Sequence, residues 1–201
     1  MKKKEIILRE LLNQSVRSPE ERITQLELAK RLNVSLSTVN HAIESLVTVG
    51  AIEIKRNGIK IIDKKKALLY LATIRNLKKD IIYQTYIPMS VSEIEKSMPE
   101  GVLYTMFSAY KFHFNEVPAD YSEVYVYCDD DTLKEIKSRF RPMKGPPNLF
   151  VLKLDDRLKA LSEHSLVPLI QIYIDLWNAH EWYAKDFLDA LENKLFNESK
   201  Q

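Results

Sequence analysis

Two sets of side chains in this chain have the types and spacing for chemistry. The first is Ser37, Thr38, Asn40, His41, Glu44 and Ser45, short polar residues interleaved with apolar ones at three- and four-residue intervals. On a helix such residues share a face. Near a helix N-terminus they can reach nucleic-acid base edges, and Asn suits adenine through a two-bond pair. Lys55, Arg56 and Lys60, with Lys3, Lys4 and the hydroxyl of Ser35, are of the kind that meets phosphate. The second set is acidic. Asp129–Asp131 and Asp155–Asp156 each follow an apolar run, and carboxylates at strand ends can hold metal for phosphoryl transfer. That chemistry also needs a glycine-serine turn to grip nucleotide phosphates, and neither Gly101 nor Gly145 adjoins a serine. Helix capping explains Asp130 and Asp131 more simply. No Ser or Cys nucleophile motif and no phosphate loop occurs. His113, His164, His180 and Cys128 lack metal-ligand spacing. The expectation is a chain with no catalytic residue, metal or cofactor.

The elements that must position the first set run from Thr24 to Gly50. Leu26, Leu28, Ala29 and Leu32 make the inner stripe of one helix, and Leu36, Val39, Ile43, Leu46 and Val47 that of a second. Asn33 stands where a left-handed turn residue is wanted, Val34 plugs the corner, and Ser35 can cap the second helix. Ala29 is small where the helices must approach. This is the pattern of a helix-turn-helix. Behind it, Ala51–Ile54 and Ile59–Ile62 flank Asn57-Gly58, a strong hairpin signal, which predicts a wing.

The charge distribution agrees. Residues 1–66 hold 14 Lys/Arg against 8 Asp/Glu, a net +6, whereas residues 67–201 hold 16 against 20, a net −4. A basic front and an acidic back suggest a polyanion partner, double-stranded DNA, for the front alone. No apolar run approaches the ~18–20 residues of a membrane span, and Lys2–Lys4 are not followed by the apolar stretch of a secretory signal. One cysteine permits no internal disulfide, so the expected location is the cytoplasm.

Along the chain, residues 3–15 predict an amphipathic helix with Ile6, Ile7, Leu8, Leu11 and Leu12 inward, and a polar connector containing Pro19 follows. Asp63 can cap a helix running to Gln84. Ser90 with Glu93 forms a capping box, and residues 102–114 read as one buried helix. Glu123–Cys128 and Asn148–Leu154 read as strands. Pro168 opens a long helical region interrupted near Asn178–Glu181. The expected fold is α+β: a winged helix-turn-helix at 1–66, a connecting helix at 67–85, and a small mixed-sheet domain at 86–201. Gln171 and Asp175 lie one turn apart among apolar neighbours and are expected to anchor a buried hydrogen-bond network rather than face a functional surface.

At that segment the chain resembles the AbiEi-type antitoxins of type IV toxin-antitoxin systems. Pro168, Gln171, Tyr173, Asp175 and Leu176, then Ala184 and Leu188, are similar to the end of that family, and Phe107-Ser108-Ala109 to its small-residue helix before the first strand. The resemblance implies a DNA-binding regulator that represses its own operon, with a second domain that neutralises a nucleotidyltransferase-like toxin. Two other readings stand beside it. One is a regulator whose rear domain senses a small ligand; the other is a nucleotidyltransferase-related enzyme using the strand-end aspartates. The sequence assigns no oligomeric state.

Overall fold

The structure, a computed structural model, describes residues 1–18 and 21–196; Pro19 of the connector lies outside the described residues. The chain divides into two compact units, Met1–Arg75 and Asn76–Gln201.

The front unit opens with α1 (Lys3–Arg17), which packs against α2 (Gln25–Leu32), α3 (Leu36–Thr48) and α4 (Lys64–Ile74). Leu8, Leu12, Leu28, Val39, Ile43, Leu46, Leu68 and Leu71 form its core. With neighbours on several sides, α1 is not simply amphipathic: Glu5, Arg9, Glu10 and Asn13 are buried as well. Glu5 pairs with Arg75 at 3.7 Å and Glu10 with Arg31 at 3.4 Å, so these buried carboxylates have cationic partners. The inner stripes are narrower than their periodicity predicts. Leu26, Leu36 and Val47 are exposed, whereas Ala29 and Ala42 are both buried.

The wing is the antiparallel pair β1 (Ile52–Lys55) and β2 (Gly58–Ile61), with Ile52 opposite Ile61 and Lys55 opposite Gly58. Its two-residue loop is therefore Arg56-Asn57, one position earlier than the Asn-Gly dipeptide suggests. Gly58 belongs to the strand for a steric reason. At φ +120° it lets the chain at Ile23 approach, and a Cβ there would stand 3.0 Å from the Ile23 carbonyl oxygen. That carbonyl accepts the Ile59 N–H at 2.9 Å.

The helix expected to run to Gln84 stops at Ile74. A 3-10 turn, Leu77–Asp80, follows, and then a strand, β3 (Ile81–Thr85). Arg75 takes extended backbone and ends α4, Asn76 caps the turn by accepting the Lys79 N–H, and Ile-Ile-Tyr is a β-branched and aromatic run that suits a pleated surface.

The rear unit is a four-stranded sheet in the order β3-β6-β5-β4. Its central strands β5 (Val124–Cys128) and β6 (Leu149–Lys153) are parallel, and α7 (Asp130–Arg139) lies between them in sequence. Antiparallel edge strands, β3 and the short β4 (Leu103–Tyr104), flank them. The residues read as a single helix from 102 thus divide into β4 and α6 (Met106–Phe114). The capping box of Ser90 and Glu93 opens α5 (Val91–Lys96). Between β6 and the last helices lies α8 (Asp156–Leu161), and α9 (Leu169–Leu176) and α10 (Ala184–Phe196) complete the unit. Both α9 and α10 pack with α6, and α6 packs on β5.

Candidate nucleic-acid interface

The front site is built on α2 and α3. Thr24 opens α2 with a capping box: its hydroxyl accepts the Glu27 N–H at 3.1 Å, and Glu27 accepts the Thr24 N–H at 2.7 Å. Asn33 ends α2 in the left-handed region (φ 52°, ψ 50°), and the Val34 N–H bonds back to the Ala29 carbonyl at 3.0 Å. Ser35 then caps α3 by accepting the Thr38 N–H at 3.1 Å. Two capped helices joined by one left-handed residue give the motif a fixed angle.

On α3 the exposed stripe is Ser37, Asn40, His41 and Glu44. His41 Nδ1 and Glu44 lie 3.6 Å apart, and both side chains are almost fully in solvent. Thr38 is half-buried, with its hydroxyl 2.7 Å from that of Ser35, which is also 2.9 Å from that of Ser37. Ser35 is thus occupied as a cap, although it is exposed. Ser45 leaves the outward set: its hydroxyl accepts from Lys4 Nζ at 2.7 Å, and Lys4 also reaches the Tyr70 hydroxyl at 2.9 Å. Lys4 is therefore a tie between α1, α3 and α4, while Lys3 stays exposed. Leu36 is exposed at the start of α3, where apolar periodicity alone places it inward. Its side chain is of the kind that meets a thymine methyl.

The wing carries Lys55 and Lys60 on one face with Glu53, and Arg56 at the tip. Glu53 pairs with Lys55 at 3.0 Å and lies opposite Lys60. Hydrogen bonding and the charge of Lys55, then that of Lys60, hold its carboxyl below the usual range. Arg22 donates to the Asn57 side-chain oxygen at 2.7 Å, which fixes the tip. Lys64–Lys66 form the first turn of α4, with Asp63 as its cap.

In the rear unit one aspartate of each acidic cluster is a helix cap, and for α7 it is Asp129, not Asp130 or Asp131 as the sequence suggests. Asp129 accepts the Thr132 N–H at 3.1 Å and a bond from Lys159 at 3.2 Å; Asp155 accepts the Leu158 N–H at 2.9 Å. Asp130, Asp131 and Asp156 sit in the first turns of α7 and α8. Among the described residues no three His, Cys, Asp or Glu side chains are grouped to hold a metal. Burial, then the charges of Asp129 and Asp130, push the Cys128 thiol up to about 12. Gln171 and Asp175 are fully buried and do form a network. Asp175 accepts from Thr105 and Tyr127 hydroxyls at 2.8 Å each and from Gln171 at 2.9 Å. Tyr173, also buried, donates to Glu192 at 2.6 Å and ties α9 to α10.

A cleft of about 720 Å³ lies beside β3, lined by Leu77, Lys78 and residues 81–84, by Tyr125 and Phe150, and by Asn178, His180 and Glu181. Gln84, Phe150 and Tyr125 form one row across three strands, and the two rings stack at 4.5 Å and 6°.

Three helices, a left-handed turn, a wing and an exposed polar stripe on α3 define a winged-helix DNA-binding domain. The family model described as winged helix-turn-helix DNA-binding matches residues 3–53. No curated protein and no solved structure matches the chain. Among the described residues no helix is long and apolar enough to cross a membrane.

The place of Glu53 gives an expected result. Glu53→Gln removes the one acidic group on the cationic face of the wing, so duplex DNA should bind about 3- to 5-fold more tightly at physiological salt, given the counterion released per net charge. Fluorescence anisotropy with a labelled duplex measures this; unchanged affinity would place that face away from phosphate.

Proposed function

We propose that this chain is a transcriptional regulator that reads an operator through α3 and represses its own operon as an antitoxin-like protein. The observation that carries the regulator reading is the exposed row of Ser37, Asn40, His41 and Glu44 on a helix-turn-helix, beside a wing bearing Lys55, Arg56 and Lys60. The base-reading set is Ser37, Thr38, Asn40, His41 and Glu44; Lys3, Lys55, Arg56 and Lys60 meet phosphate. In this reading the rear unit performs no catalysis; supporting it, Asp129 and Asp155 serve as helix caps and Asp130, Asp131 and Asp156 lie in the first turns behind them. Its partner is a nucleotidyltransferase-like toxin, a reading supported by the sequence resemblance around Gln171 and Asp175. Asn40→Ala is the sharpest test: it should cost about 1–3 kcal/mol on the selected operator and leave non-specific binding nearly intact. Equal losses on all sequences would reduce Asn40 to a positioning role. The toxin part is tested by expressing the neighbouring gene alone and with this chain; a product that is harmless alone removes it. The cleft beside β3 favours a second reading, in which the rear unit senses a small molecule.

A further inference from the structure

We propose that the cleft beside β3 binds a flat organic cation, an amidine or guanidine, with its charged end on Glu181 and its flat body against Phe150. This deepens the sensing reading and does not depend on DNA binding.

The cleft's volume falls within the range of small-molecule sites, and its lining combines apolar side chains, Leu77, Ile81, Ile82 and Phe150, with polar ones, Lys78, Gln84, Asn178, His180 and Glu181. Glu181 supplies the anionic group and is held in place from both sides. One carboxylate oxygen accepts from the Tyr125 hydroxyl at 3.0 Å, and the other from the His180 N–H at 2.9 Å. Each oxygen keeps capacity for a second donor, which matches the paired N–H groups of an amidinium.

The charge balance points the same way. Tyr183 donates its hydroxyl to Glu123, close enough to Glu181 for the two carboxylates to repel. Burial, then that repulsion, raises Glu123 to about 7, and burial followed by Glu181 raises the Tyr125 hydroxyl. Among the described residues no Lys or Arg pairs with Glu123 or Glu181. Lys78 belongs to the wall formed by the 3-10 turn, which precedes β3. A cation bound at Glu181 would find a carboxylate with no cationic partner of its own among the described residues, a flat aromatic neighbour and partial shelter from water, conditions in which cation–π attraction adds to the ion pair.

Benzamidine is the probe, with benzoate as its flat anionic counterpart, and the intact chain is used throughout. Trp182, exposed next to Glu181, reports occupancy by fluorescence. The expected result is saturable quenching and a raised thermal midpoint with benzamidine but not with benzoate. Glu181→Gln should weaken binding at least tenfold while the circular dichroism stays the same. Gln84→Phe, a change at an exposed position, should weaken binding by filling the cleft. Absence of saturable binding, equal binding of benzoate, or undiminished binding by Glu181→Gln overturns the proposal. Affinity for a fixed duplex, measured with and without benzamidine, separates the site from its use. Binding that leaves DNA affinity unchanged keeps the site and removes the sensing reading.

Discussion

Asp175→Ala is expected to destabilise the rear unit by about 3–5 kcal/mol, the cost of leaving several buried donors without their acceptor. The carboxylate sits on α9 and accepts from Thr105, at the entry to α6, from Tyr127 on β5, and from Gln171 one turn earlier on α9. All four residues are fully buried, so water cannot easily replace the missing acceptor. Gln171 also donates to the Tyr127 hydroxyl at 3.0 Å, and the group therefore acts as one network whose parts should not add independently. Tyr127→Phe removes one donor and leaves an acceptor on Asp175 with other partners, so it should cost about 1–2 kcal/mol. Urea denaturation followed by near-ultraviolet circular dichroism measures both. A loss below about 1 kcal/mol for Asp175→Ala would mean that the network is not what joins α6, α9 and β5.

The ease of reading the front unit has a physical cause: its signals are local. Asn33 in the left-handed region, Ser35 as a cap and the apolar face of α3 are each set by residues within four positions. What local patterns miss depends on distant partners. Gly58 joins the strand because Ile23 passes beside it. Lys4 is diverted from solvent by Ser45 and Tyr70, more than forty residues away in sequence.

The rear unit shows the same division. Its two central strands were legible from residues with high β-propensity, Val and Tyr in β5 above all, although β5 is buried along its whole length as parallel strands are, not on alternate residues. The edge strands were not. β4 is two residues long and runs into α6 through Met106, whose φ of 54° no apolar pattern foretells. β3 follows α4 after a 3-10 turn, and its Ile-Ile-Tyr continues the helical spacing of the residues before it. A helix in place of β3 hides the cleft, since one wall of it is that strand. The Gln171–Asp175 pair was legible as a network because two polar residues one turn apart in an apolar helix need partners; their identity, Thr105 and Tyr127, was not.

The largest effect on DNA is expected from the wing. Replacing Lys55, Arg56 and Lys60 together with alanine should weaken binding to any duplex on the order of 100-fold at 0.15 M salt, and should flatten the log–log salt dependence by about 0.9 for each phosphate no longer neutralised. The three cations sit on one short hairpin, with Lys55 and Lys60 sharing a face and Arg56 at the tip. Their charges act on the phosphates whatever the bases, so specific and non-specific affinity should fall together, unlike the base-selective loss expected for Asn40→Ala. The fold should be little changed, because all three side chains are exposed and the hairpin is held by Ile52, Ile59 and the bond from Ile59 to Ile23. Lys3→Ala should add a further, smaller flattening, whereas Lys4→Ala should act through stability, since Lys4 ties three helices together. Titrations at several salt concentrations, with unfolding curves for each variant, separate the two. A triple variant that keeps both its affinity and its salt slope would remove the wing from the interface and leave α3 to bind DNA without it.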